Sequence, residues 1–226
     1  MKKKITLLLL SVNLIVYCFA QPGKQDSSFG ETGVLIKQSF EVIYGFIDMS
    51  VLKNDNILVC SWYYRASEFN RGIIVLDRYL PNGVVDSSFG NNGTIELPSK
   101  LQPKSIAVQK DGKIVVTGDY DYYRLGILRF MPDGQIDSSF AINGLYIDNN
   151  LYRQYASDIA VQPDGKIVVS GYYEFDPDRG IIYPTLTRLN EDGTLDDSFG
   201  EKGKGIYKNS ESVGYYNNIE IGRAHV

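Results

Sequence analysis

Four aspartates recur in one setting: Asp26 in QDSSFG, Asp86 in VDSSFG, Asp137 in IDSSFA and Asp196 in LDDSFG. A carboxylate beside hydroxyls is an oxygen donor set of the kind calcium uses, and Asp119/Asp121 and Asp176/Asp178 are spaced as paired acids for acid–base work. Calcium needs about six to eight oxygens from a dense cluster, and one carboxylate per setting is too few. The DSSFG residues therefore read as Asx- or Ser-type turns that hold backbone amides, with Phe29, Phe89, Phe140 and Phe199 plugged between sheets. The acid pairs fall in loops, where neighbouring carboxylates are ordinarily solvated. Nucleophile and metal chemistry lacks its parts. The one histidine, His225, lies in the last six residues, and Cys60 is the one cysteine beyond residue 20. Cys60 aligns with Thr117 and Ser170 and reads as a small strand residue. No catalytic residue, metal or cofactor is expected.

Aromatic residues offer more. Three clusters occupy equivalent points of the chain: Trp62-Tyr63-Tyr64, Tyr120-Asp121-Tyr122-Tyr123 and Tyr172-Tyr173-Glu174-Phe175. Tyr and Trp combine an apolar plane with a polar tip, so clusters beside carboxylates could form a sugar- or peptide-binding face. Trp62, Tyr64, Tyr120, Tyr122, Tyr173 and Phe175 are the candidate ligand residues. The competing reading is strand extension with alternate rings packed between sheets, which the high β-propensity of Tyr favours. Arg71, Arg124 and Arg179 follow the clusters and are placed to pair with the local acids.

The elements that carry these residues repeat. The signature aspartates lie 60, 51 and 59 positions apart, a period that points to an array of supersecondary units. Each unit shows two hairpins. The first is SIAVQ-KDG-KIVVTG (105–118) and DIAVQ-PDG-KIVVSG (158–171). The second is GILRF-MPDG-QID (126–137), TLTRL-NEDG-TLD (185–196) and IIVLDRY-LPNG-VVD (73–86). Short Val- and Ile-rich runs between Gly-containing turns predict antiparallel strands, and no 3.6-residue periodicity predicts a helix. A proline in three of these turns excludes the two-residue type I′ form, which leaves a type I turn closed by a left-handed glycine with a G1 bulge. Gly112, Gly134, Gly165 and Gly193 take that role, and Asp55 replaces it in the first unit. Central runs such as Ile114-Val115-Val116 are apolar on both faces, so the four-stranded sheets are expected to be covered on both sides. Stacking one sheet per repeat does this, and a β-propeller also protects the edges.

The combination of LDxSFG, VQPDGKIVVSG and a TRLNxDG hairpin resembles the bacterial delta-60 repeat, a propeller-type repeat of secreted proteins. The resemblance covers about residues 24–221. It implies an all-β fold, a β-propeller of four-stranded antiparallel blades, with blades at about 47–86, 105–137 and 158–196 and a partial blade from 216. It departs at Ala141, which stands in place of the signature glycine, and at the NDN turn of the first unit. The expected role is a binding or interaction scaffold; a propeller-type polysaccharide lyase or hydrolase is the alternative, as is a repeat spacer beside a functional or sorting domain.

The ends bear on this. Lys2-Lys3-Lys4 followed by apolar Ile5–Val16 and Cys18-Phe19-Ala20 reads as a signal peptide over 1–20, with cleavage before Gln21. That expectation implies a secreted or cell-envelope protein. No other segment is apolar enough to be transmembrane. Losing three lysines takes the formal charge from −4 to −7, a balance unsuited to nucleic acid or anionic membranes. The expected partner is a glycan or a protein at the cell surface. The last residues, IGRAHV (221–226), resemble the translation of a sequencing adapter, and Tyr215–Ile221 matches the start of a further repeat. The chain is thus expected to be an incomplete propeller, a fragment that continues in the natural gene.

Overall fold

In the computed structural model the chain is described over residues 5–10, 13–18, 25–30, 33–38, 43–64, 72–149, 153–177 and 181–206. The partial repeat from 216, the tail at 221–226, Arg71, Arg179 and Asp178 lie outside the described residues. Two compact units divide the chain at Ser99 and Lys100. Every element in both is a strand, and among the described residues no helix is long and apolar enough to cross a membrane.

The first unit holds two antiparallel sheets. One is three-stranded, β1 (Ile5–Leu10), β2 (Asn13–Cys18) and β3 (Val34–Gln38) in that order; the apolar run at the N-terminus is a hairpin here, with Leu10 opposite Asn13. The other is a four-stranded meander of β4 (Ile43–Val51), β5 (Ile57–Tyr64), β6 (Gly72–Tyr79) and β7 (Thr94–Ser99). Its core joins Phe29 to Ile57, Val59 and Tyr79, flanked by Leu35, Phe46 and Met49.

The second unit repeats the meander twice. The first sheet is β8 (Leu101–Val108), β9 (Ile114–Tyr120), β10 (Arg124–Phe130) and β11 (Leu145–Ile147). The second is β12 (Gln154–Val161), β13 (Ile167–Asp176), β14 (Ile181–Leu189) and β15 (Lys204–Ile206). One core spans both sheets: Val115, Leu125 and Ile127 meet Ile159, Ile167, Val169 and Leu189, with Phe140 among them. Runs apolar on both faces thus lie where both faces are covered.

The turns follow the expected stereochemistry. Gly112 N donates to Gln109 O at 3.0 Å and Gln109 N to Lys113 O at 2.8 Å, a type I turn with its bulge. Gly112, Gly134, Gly165 and Gly193 have φ of 87°, 94°, 88° and 87°, and Asp55 takes the same region at 62°.

The outermost strand is a correction. The segments VVD, QID and TLD were expected to complete the sheets, yet each makes a single bridge: Val85 to Tyr79, Ile136 to Phe130 and Leu195 to Leu189. The fourth strand instead follows the DSSFG signature, as β7, β11 and β15. The sheets therefore run from 43 to 99, 101 to 147 and 154 to 206. The signature lies inside each sheet's connectivity and brings the chain from the third strand to the fourth.

The innermost strands share a device that the repeats did not announce. The register of β4, β8 and β12 slips by one residue at Phe46/Asp48, Pro103/Ser105 and Ala156/Asp158. Such a bulge pushes backbone toward the neighbouring strand. In the second unit the room comes from glycine: a Cβ on Gly118 would lie 2.0 Å from the Gln102 carbonyl oxygen, and one on Gly171 would lie 1.9 Å from that of Tyr155. The glycine ending KIVVTG and KIVVSG is required by this approach.

Candidate functional site

The signature aspartates serve the sheets. Asp137 Oδ1 accepts from Ser139 N at 3.1 Å and Ser139 Oγ at 2.5 Å, while Oδ2 accepts from Arg129 Nε at 2.8 Å. The Arg129 guanidinium lies 4.4 Å from the Phe140 ring centroid and also donates to the Glu191 carbonyl, across to the next sheet of the unit. The set recurs with Arg78, Asp86 and Phe89, and with Arg188, Asp196 and Phe199. A further partner comes from the first hairpin: Asn56 donates to Asp86 at 3.0 Å, Lys166 donates to Asp196 at 2.9 Å, and Lys113 forms an ion pair with Asp137 at 3.6 Å. With three or four donors per carboxylate, the expected turn role is the observed one, enlarged by a cation.

Signature and turn then meet. In the second unit Ala141 N donates to Asp192 O at 2.8 Å, and Phe140, fully buried, lies where a Cβ on Gly193 would come within 2.7 Å. In the first unit Gly30 N donates to Asn82 O at 2.9 Å, with Phe29 against Gly83. Within each unit one signature thus docks on the second-hairpin turn of the sheet that follows it. These arginines were not singled out in the sequence, although a signal was present. Arg78, Arg129 and Arg188 each stand eight residues before their aspartate.

Electrostatics fit this role. The Ser88 hydroxyl, with Arg78, holds the Asp86 carboxyl below its ordinary range. Burial pushes Asp137 up, but the Ser139 hydrogen bonds and Arg129 outweigh it and the net shift is downward. Asp196 is held well down, first by the Ser198 hydroxyl and then by Lys166.

The aromatic clusters divide by unit. In the first, Trp62 is 5% exposed and Tyr63 4%. Trp62 lies on Gly72, where an added Cβ would come 2.1 Å from the indole nitrogen, and Tyr63 packs with Ile73 and Val75. Tyr64 is half-buried, its ring 4.4 Å from that of Trp62. Trp62 is therefore a core residue and not a ligand contact. The reason is cover on both faces of β5: Trp62 and Tyr63 point to opposite faces and both are buried, whereas Tyr64, in phase with Trp62, is half-buried.

In the second unit the rings reach solvent. Tyr122 is 54% exposed, Tyr123 41% and Phe175 58%, with Tyr120 and Tyr173 half-buried. Backbone bonds tie the two loops together: Gln154 N donates to Tyr123 O at 3.0 Å, and Glu174 N to Arg153 O at 3.0 Å. Arg153 stands between the clusters, 5.7 Å from the Tyr123 centroid and ion-paired to Glu174 at 2.8 Å. Phe175 meets Tyr183 at 5.5 Å and Tyr173 at 6.4 Å, and Tyr155 stacks on Tyr172 at 4.8 Å. Burial, with Glu174 nearby, pushes the Tyr155 hydroxyl up to about 12. Asp121, Tyr122 and Arg153 all have positive φ, at 51°, 68° and 65°. At Asp121 and Tyr122 this is the type I′ form of the hairpin turn, with Tyr123 N donating to Tyr120 O at 3.4 Å, and left-handed backbone on residues with a Cβ costs about 1–2 kcal/mol.

Asp119 and Asp121 do not act as a pair. Asp119 is buried, accepting from Ala156 N at 3.0 Å and facing Lys104 at 3.3 Å; burial raises its pKa, with Lys104 opposing. Asp121 turns outward to Lys100 and Arg124, each at 3.5 Å, as expected of Arg124. Cys60 is wholly buried, and burial pushes its thiol far up, consistent with an inert strand residue.

Sheet order, turn stereochemistry and the joint between repeats define an all-β protein with a propeller-type repeat. Residues 109–140 and 162–199 match the family model described as a domain of unknown function (DUF5122) beta-propeller. Each matched stretch runs from a first-hairpin turn to a signature phenylalanine, so it includes the arginine–aspartate pair. No curated protein matches the chain.

Proposed function

We propose that the chain is a secreted or cell-surface binding scaffold of delta-60 type, with its ligand face on the aromatic rim of the second unit. The observation that carries the reading is Tyr122, a ring more than half exposed on backbone at φ 68°. Hydrogen bonds and ion pairs hold the segments beside it. An exposed ring kept in costly geometry is a preorganised contact. Binding is favoured over catalysis because the carboxylates nearest the rings, Asp121 and Glu174, are each tied to a cation. Export rests on the signal-peptide reading of 1–20, and the delta-60 assignment on the repeat motifs.

The test is a glycan and peptide array probed with the full chain. Tyr122→Ala and Tyr173→Ala are expected to weaken the ligand found while circular dichroism and thermal midpoint stay near wild type. Unfolding of both variants would instead assign the rings to packing and remove the ligand face.

A further inference from the structure

We infer that this rim takes a neutral, hydroxyl-rich polysaccharide, with Arg153 and Glu174 as polar readers between two ring patches. The inference rests on the binding reading above and names its ligand class. Tyr122 and Tyr123 form one patch, with centroids 6.4 Å apart, and Phe175 and Tyr183 the other. The Arg153–Glu174 pair lies between them at 2.8 Å, fixed to one side by the guanidinium over Tyr123 and to the other by chain continuity with Phe175. Apolar planes on either side of one donor and one acceptor fit a ligand whose own surface alternates C–H faces with hydroxyl edges.

Three observations narrow the class. A hydroxyl both donates and accepts, so it can satisfy Glu174 and Arg153 together, whereas an anionic group only accepts and would meet the Glu174 carboxylate. The cations along the rim, Lys100, Arg124 and Arg153, each face an acid, and the chain carries a formal charge of −4, so no field favours a polyanion. A peptide that adds a strand needs unpaired backbone, and among the described residues three amides of the rim are already bonded. Asp121 N donates to Lys100 O, Gln154 N to Tyr123 O and Glu174 N to Arg153 O. Side-chain stacking and hydroxyl recognition remain.

Native affinity electrophoresis of the full chain tests this, with gels containing β-glucan, mannan or xylan as neutral polymers and alginate or polygalacturonate as acidic ones. A proline-rich peptide followed by fluorescence polarisation serves as the peptide probe. At least one neutral polymer is expected to retard the protein, with little dependence on salt. Tyr122→Ala and Phe175→Ala should each weaken that retardation by about tenfold, on the scale of one aromatic contact, while Tyr122→Phe retains it. Retardation by the acidic polymers alone, or peptide binding lost in Tyr122→Ala without any neutral-polymer binding, would overturn the ligand class and leave the binding face standing. Failure of every variant to alter any binding would overturn both. Both rings are more than half exposed, so folding is expected to survive and is checked by thermal midpoint.

Discussion

At the scale of single residues, one side-chain type does opposite work. Asp86, Asp137 and Asp196 are held below the ordinary carboxyl range by hydroxyl and cationic donors, whereas burial raises Asp119. The signs for stability differ accordingly. A depressed carboxyl contributes stability that is complete above the unfolded value, about 3.9, and is lost as pH falls through the folded value. A raised carboxyl binds its proton more tightly in the folded state, so stability grows as pH falls from the folded value toward about 3.9. Urea unfolding followed downward from neutral pH should therefore first rise and then fall steeply on the acid side. In Asp119→Asn, which keeps an acceptor for Ala156 N, the rise is expected to vanish while the acid-side fall remains. A rise that persists in that variant would remove the role given to Asp119.

At the scale of elements, turn glycines that look alike in sequence are unequal in the fold. A Cβ on Gly112 would meet only Pro132, at 3.4 Å, whereas one on Gly193 would enter the Phe140 ring and approach Ala141 N at 2.8 Å. Gly112→Ala is expected to cost about 1–2 kcal/mol, for left-handed backbone alone. Gly193→Ala should add about 1–3 kcal/mol of overpacking, read by denaturant titration. Equal losses would mean that the joint does not press on the turn. The same contrast marks what was legible. Turn type was readable because proline and glycine act on their own backbone. The fourth strands were not: Leu145–Ile147 and Lys204–Ile206 are three residues long, and Thr94–Ser99, although six long, lies beyond the signature that was read as the end of its repeat. The aromatic clusters were readable as a recurring position but not as buried or exposed. Trp62 shares its row with Asp119 and Tyr172, and what covers that row decides. The spacing from Arg129 to Asp137 recurs in the two other repeats, from Arg78 to Asp86 and from Arg188 to Asp196, and is legible in the sequence.

At the scale of the whole molecule, two layers of role separate. The residues that recur most regularly, DSSFG with its arginine, are spent on the sheets: each arginine–aspartate pair braces its own repeat, and the signatures at 26–30 and 137–141 also dock on the sheet that follows within their unit. Those that vary between repeats, Tyr122, Arg153 and Phe175, make up the rim of the second unit. A repeat architecture permits this division, because each sheet is held by its neighbours while its loops change freely. Arginine at two depths separates joint from site most directly. Arg129, 3% exposed and bound to Asp137, belongs to the joint; Arg124, 32% exposed and 3.5 Å from Asp121, belongs to the rim. Denaturant unfolding of Arg129→Ala and Arg124→Ala measures the difference. The account predicts a loss of about 1.5–3 kcal/mol for Arg129→Ala, where Asp137 keeps its Ser139 bonds and Lys113 but loses the buried guanidinium, and less than about 1 kcal/mol for Arg124→Ala. Stability unchanged in Arg129→Ala, or an equal loss in both, would contradict it.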